Sequence, residues 1–407
     1  MNLCLAHVRV GFACPRALCL HINLRPISRY GDCSRVEASP LDPVRLSCRR
    51  TCDGGCTSHI RTLRSDAGFL DVSAVVTGLD TPWAFGFLPN GKIVITERDG
   101  AVLLVTPGEG ATTLRNPPDV LVDGQGGLLD VMVPRDFAQS RELFFTHAKR
   151  QRGGSGTAVT KVTLSADETS LTNHETIFEI AEGSEGGRHF GSRIAEAPDG
   201  TLFLTVGDRG NRPSAQDRSL HNGSVLRITR DGAAPSDNPF VGTDGVLPEI
   251  WSYGHRNPQG ATFDANGQFW VNEHGARGGD EVNRVQKGAN YGWPVIAYGK
   301  HYSGRTIGEG TEKAGMEQPE TYWDPSIAPS GMTTYDNGPI GSWNGDMFVG
   351  SLKFDYIARL EGSPLREVEQ LKGRSTQRVR DVRQGPDGDL YFLSIGNGAL
   401  YRLSPGS

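Results

Sequence analysis

The chain has 407 residues, 37% of them hydrophobic and 22% charged, and a formal net charge of −5. That balance argues against a general binder of nucleic acid or membrane surfaces, and no apolar run is long enough to span a bilayer. The length admits one large domain or two to three small ones.

All seven cysteines (Cys4, Cys14, Cys19, Cys33, Cys48, Cys52 and Cys56) lie at the start of the chain, so the later region needs no disulfide framework and no thiolate metal site. Residues 1–65 are rich in Arg and Cys and show neither helical nor strand periodicity. They also lack the apolar core and small-residue cleavage site of a secretory signal, so they are expected to be a disordered leader or an extension absent from the mature protein. The stretch "CRRTCDGGC", Cys48 to Cys56, has irregular spacing and no second CxxC pair, which makes a zinc knuckle the poorer reading.

Residues 66–407 read differently. "FLDVSAVVTG", Phe69 to Gly78, is a strand. "LPNGKIVITERDGAVLLV" follows from Leu88, with Asn90-Gly91 and Asp99-Gly100 as hairpin turns between β-branched runs. A weaker copy, "VPRDFAQSRELFFTHAKR", begins at Val133, and others begin at Ala197, Asp264, Trp343 and Gly385. Six copies without long amphipathic helices predict an all-β fold, a six-bladed propeller of four-stranded antiparallel blades. The last copy supplies about three strands, so Phe69–Gly78 is expected to complete it and close the ring. The segments Gly207 to Ser224 and Ala297 to Ser330 read as long loops on one face.

Candidate chemistry falls in the loops. His189, in "EGGRHFGSR", has a pKa suited to a general base, although a lone histidine is more often structural. It sits among glycines, which let backbone approach closely. Arg256 and Asn257 in "YGHRNPQG" could stabilise a developing oxyanion or hold a carbonyl oxygen. "EHGARGGDE", Glu273 to Glu281, offers glycines and hard oxygens suited to Ca²⁺, or else a solvated acidic turn. Lys353 and the pair Arg378 and Arg380 are cationic, and strand alternation would put the two arginines on one face, a costly arrangement without an anion to offset it.

In order along the chain, "GQGGLLDV", "RHFGSR", "VGDRG", "GHRNPQG", "EHGARGGDE", "GANYGWP", "GSLK" and "QRVRDV" resemble the soluble quinoprotein aldose sugar dehydrogenases, from about Leu79 to Leu403. The resemblance implies oxidation of an aldose at its C1 hydroxyl to the lactone, with pyrroloquinoline quinone (PQQ) and Ca²⁺ as cofactors and an external electron acceptor. It implies His189 as the base, Gln125 beside the reacting centre, and Arg256 and Asn257 on the quinone oxygen. Lys353, Arg378 and Arg380 would hold the cofactor's carboxylates and carbonyl edge. The carbonyls of Gly275 and Ala276 would bind the calcium that touches the cofactor, while Asp280, Glu281, Tyr291 and Ala297 would form a second, structural calcium site. Arg188, His274 at the cofactor and Ala276 replace an acid, a glutamine and a proline of the glucose-specialised members, which fits the broad-specificity branch. A periplasmic or secreted monomer or weak homodimer is the implied setting. The alternatives are a calcium-dependent propeller lactonase, which would need carboxylates around an axial metal, and a propeller binding module without chemistry.

Overall fold

Asn90-Gly91 and Asp99-Gly100 turn the chain as expected: in the computed structural model, which describes residues 61–406, they link the strands Pro82–Phe87, Ile93–Glu97 and Val102–Thr106 into an antiparallel sheet. Gly110–Thr113 adds the fourth strand and completes blade one. The same unit recurs in blade two (Leu128 to Glu179), blade three (Ile194 to Tyr253), blade four (Pro258 to Trp323) and blade five (Pro329 to Lys372). The first strand of each blade packs on the first strand of the next, and Val379–Gln384 of blade six packs back on Pro82–Phe87. The expected six-bladed ring is the fold.

Six apolar clusters, one at each junction between neighbouring blades, hold the ring together. Central strands are therefore buried on both faces, which is why Leu202–Val206 and Leu390–Ser394 are apolar almost throughout rather than alternating. Closure follows the prediction: Gly68–Thr77 pairs with Ala399–Pro405 and ties the start of the ring to its end.

Two boundaries need correction. Arg61–Ser65, assigned to the leader from sequence, is a strand that pairs with Gly68–Thr77 and gives blade six a fifth member. Its apolar content is a single buried Leu63, too little to show periodicity. Thr321–Trp323, placed in a loop, is the outer strand of blade four. Residues 1–60, with all seven cysteines and the "CRRTCDGGC" motif, lie outside the described residues.

Candidate active site

His189 lies in the loop entering blade three, in a left-handed backbone (φ 54°) between Gly187 and Gly191. The glycines serve contact between chain segments rather than approach of a ligand. A Cβ on Gly187 would meet Asp123 Oδ1 at 2.8 Å, and one on Gly191 would meet the Thr205 carbonyl oxygen at 2.8 Å. The His189 N–H donates to Gln125 Oε1 at 2.8 Å, and the Gln125 N–H donates to the Gly187 carbonyl at 2.7 Å.

The imidazole is held from one side. Its Nδ1 lies 2.6 Å from Asp208 Oδ1, and the fully buried Asp208 also accepts from Gly210 N–H at 2.7 Å and Trp293 Nε1–H at 2.8 Å. Burial alone would raise the Asp208 carboxyl, but hydrogen bonding and charge from His189, the Gly210 N–H and the nearby Arg256 outweigh it and hold it below the usual carboxylate range. Burial lowers His189 below the ordinary histidine value, Asp208 opposes this, and Arg256 and Arg188 add to the depression. An ionised Asp208 makes Nδ1 the donor, which leaves the Nε2 lone pair as the basic site.

Arg256 turns the chain from blade three to blade four. Its N–H donates to Glu273 Oε2 at 2.5 Å and its Nη1 to the His274 carbonyl at 3.0 Å, while its buried Nε has no hydrogen-bond partner. Asn257 Oδ1 accepts from Gly191 N–H at 3.3 Å and Gln259 Nε2 at 3.1 Å. His274 Nε2 donates to the Pro329 carbonyl at 2.7 Å, and burial lowers its pKa.

Behind Arg256 an enclosed cavity of about 20 Å³ gathers Gly275, Ala276, Glu281, Tyr291 and Ala297, members of both expected calcium sites, together with Glu273. Burial and the charges of Glu273 and Asp280 raise Glu281 above the usual carboxylate range. Asp280 is engaged differently from a free metal ligand. Its carboxylate accepts from Gly275 N–H at 2.8 Å, the Ser326 hydroxyl at 2.6 Å and Ala328 N–H at 2.8 Å, which braces two loops. The Tyr291 hydroxyl donates to the Arg284 carbonyl at 2.6 Å and accepts from Gln286 N–H at 2.9 Å. Among the described residues no three His, Cys, Asp or Glu side chains converge as a metal site. Glycines, Ala276, Ala297 and the acids Glu273 and Glu281 line this cavity together with Arg256, His274, Tyr291, Trp293 and Ile296.

Gln125, Asn257, His274, Lys353, Arg378 and Arg380 share a larger cavity of about 690 Å³ on the propeller axis. His189 and Arg256 adjoin it through Gln125 and His274 without lining it. Arg378 and Arg380 do not meet there by strand alternation, since Arg378 has a left-handed φ of 50° and a bulge interrupts the register between Val379 and Asp381. Among the described residues, none of these three cations has a carboxylate ion pair. Arg380 is buried, donates to Gln259 Oε1 at 2.9 Å and lies 3.9 Å from the centroid of Trp83. Burial and the neighbouring Arg193 push it down to about 9, which leaves it charged at neutral pH.

Next to Arg380 the charges are matched. Arg193 lies 3.3 Å from Asp130 and 3.0 Å from Asp381, and Arg383 lies 2.5 Å and 3.0 Å from the same two acids. A second cavity of about 380 Å³ opens beyond these four residues.

The model of the family described as "Glucose / Sorbosone dehydrogenase" matches residues 79–402. This chain belongs to the glucose/sorbosone dehydrogenase family. The chain is 41% identical over 345 residues to the aldose sugar dehydrogenase YliI of Escherichia coli (strain K12), covering 83% of this chain and 93% of that protein. The crystal structure of the soluble aldose sugar dehydrogenase from Escherichia coli in the apo-form superposes with a TM-score of 0.80 at 41% identity, over 83% of this chain and 100% of that one. The PQQ-bound form of the aldose sugar dehydrogenase from Streptomyces coelicolor gives 0.68 at 26% identity, over 82% and 98%.

Reading this family member from sequence misses Asp208, Trp293, Glu273, Gln259, Trp83 and Arg98. Arg98 lines the large cavity with a buried, unpartnered Nε. Asp208 carries a signal: it follows the fully buried strand "LFLTV" after one glycine, where an acid is costly unless it is used.

Proposed function

We propose that this protein oxidises aldose sugars at the C1 hydroxyl to lactones, with PQQ and Ca²⁺ as cofactors and an external electron acceptor, in the periplasm or outside the cell. The observation that carries the reading is the large axial cavity, where three cations without carboxylate partners face one space. Arg380 is buried and costly to leave without an anion, Lys353 and Arg378 are exposed at the same cavity, and together the three suit an anion that bears several carboxylates. The relatives support the same choice, since one solved homologue is described as PQQ-bound and another relative, 26% identical, as a quinoprotein glucose dehydrogenase. Calcium fits the small cavity by the acids it holds, Glu273 and Glu281, the second with a raised pKa that a divalent cation would reverse.

When bound, PQQ would supply a two-electron hydride acceptor and Ca²⁺ a Lewis acid. Lys353, Arg378 and Arg380 hold the carboxylates. Arg256, whose buried Nε has no partner, would donate to negative charge that develops beside it. His189 Nε2 takes the C1 hydroxyl proton, Asp208 stabilises the imidazolium that forms, and Gln125 fixes the backbone of His189. The carboxylates of the axis, Asp130 and Asp381, are bound to Arg193 and Arg383, unlike the metal-holding axial acids that a propeller lactonase would need.

The test is reconstitution. Purified cofactor-free protein is given PQQ, Ca²⁺, an aldose and a redox dye. Dye reduction that needs all components supports the proposal; tight quinone binding without aldose-dependent reduction rejects it.

A further inference from the structure

The motif "RHFGSR" ends in an arginine that the reaction does not use. Arg193 is 3% exposed and sits at the start of blade three, beneath the large cavity. Three things hold the guanidinium of Arg380 in place: its own main chain, Gln259 and Trp83. Arg193 touches all three. Its Nη2 donates to the Arg380 carbonyl at 3.2 Å, its Nε donates to the Gln259 carbonyl at 2.7 Å, and its guanidinium carbon lies 4.3 Å from the Trp83 ring centroid. Asp130 and Asp381 fix Arg193 in turn, with Arg383 balancing their charge.

We infer that Arg193 is a positioning residue for the cofactor site, acting through Arg380. The reason lies in the geometry of guanidinium. One planar group donates in several fixed directions and stacks on an indole at once, which an ammonium cannot do. A brace is needed because Arg380 is buried and has no carboxylate to anchor it. The matched four-charge cluster lets a cation sit below Arg380 without leaving net charge in the core. The second cavity beyond the cluster is no rival ligand site on these grounds, because the charges of all four residues are already paired.

This inference rests on the quinone reading, and its test separates the two. Cofactor-free protein is titrated with PQQ in the presence of Ca²⁺, followed by absorbance, for the parent, Arg193→Lys, Arg380→Met and the double variant. Lysine keeps the charge that Asp130 and Asp381 require but loses the forked contacts. Arg193→Lys should raise the Kd about tenfold, and the double variant should bind no worse than Arg380→Met alone. A purely structural defect would instead add to the loss in the double variant, and that result overturns the inference. So does Arg193→Lys with the parent's affinity. A parent that does not bind PQQ rejects the quinone reading itself. If Arg193→Lys does not fold, Arg193→Gln combined with Asp381→Asn removes one charge of each sign; it is compared with Asp381→Asn alone, and the same non-additivity with Arg380→Met is required.

Discussion

Replacing Arg380 with methionine should stabilise the cofactor-free protein while weakening its grip on the quinone. Arg380 is buried, and desolvation and Arg193 push it well below the ordinary arginine value, down to about 9. A shift of that size corresponds to about 5 kcal/mol spent on holding the charge in place, an upper bound. Methionine keeps apolar contact with Trp83 but forfeits the cation–π contact and the Gln259 hydrogen bond, about 1 kcal/mol each. The net expectation is a gain of at most about 3 kcal/mol without cofactor. Because the folded pKa is depressed, the penalty falls on the protonated form. The gain should thus be level from pH 6 to 8 and shrink as pH rises through about 9. Bound quinone reverses the balance, since loss of one charge-assisted contact to an anion costs about 2 kcal/mol, or about thirtyfold in Kd. Chemical denaturation of the cofactor-free proteins and quinone titration measure the two effects. A methionine variant that is less stable than the parent at pH 7 and binds quinone equally well would refute the reasoning.

His189→Ala should retain fold and quinone affinity but lose about 10²- to 10⁴-fold in turnover, read by single-turnover reduction of bound quinone; Arg188→Ala should cost much less. Because burial lowers His189, the acid limb of the parent's pH–rate profile should lie below the ordinary histidine value, with activity lost as pH falls through it. Asp208→Asn removes a partner that raises His189, so the limb should move to still lower pH while turnover drops; an unmoved limb shows that another group titrates. Lys353→Ala should weaken quinone binding by about 2 kcal/mol in the same titration. A chain starting at residue 60 should match full length in thermal stability, whereas one starting at residue 66 loses the Leu63 strand and should be less stable by about 1–3 kcal/mol.

The ring was legible because its hairpins are local. Asn-Gly and Asp-Gly turns between β-branched runs recur, and each strand needs only its neighbour to be recognised. Phe69–Gly78 could be placed because a three-stranded last blade leaves one vacancy. Arg61–Ser65 was not, since a fifth strand is an addition that no repeat count demands. The site was legible to the extent that each residue sits in its own motif, as with Gln125, Lys353 and Arg380. The contacts between motifs were not. Asp208 and His189 are separated by both strands of a hairpin, Ile194–Glu196 and Leu202–Val206, and the pair exists only because blade three folds one onto the other. The pairing of Arg378 with Arg380 was read from alternation, which a bulge cancels.

The distribution of charge along the axis explains why one strand end is stable and the other reactive. Around Arg193 and Arg383 each cation has two acids, so the cluster is neutral; apolar residues of equal volume would stabilise the fold as well or better. Stability is therefore a poor account of its presence. Specific geometry is a better one, because a neutral cluster can hold a guanidinium fixed under a cavity without cancelling the charge of the guanidinium above it. An acid placed directly on Arg380 would relieve its burial and in the same stroke occupy the donors meant for the ligand. Bracing from below through Arg193 avoids that conflict. The spacing in "RHFGSR" then has a physical reason: three residues separate His189, in the loop, from Arg193, which two acids hold at the strand start.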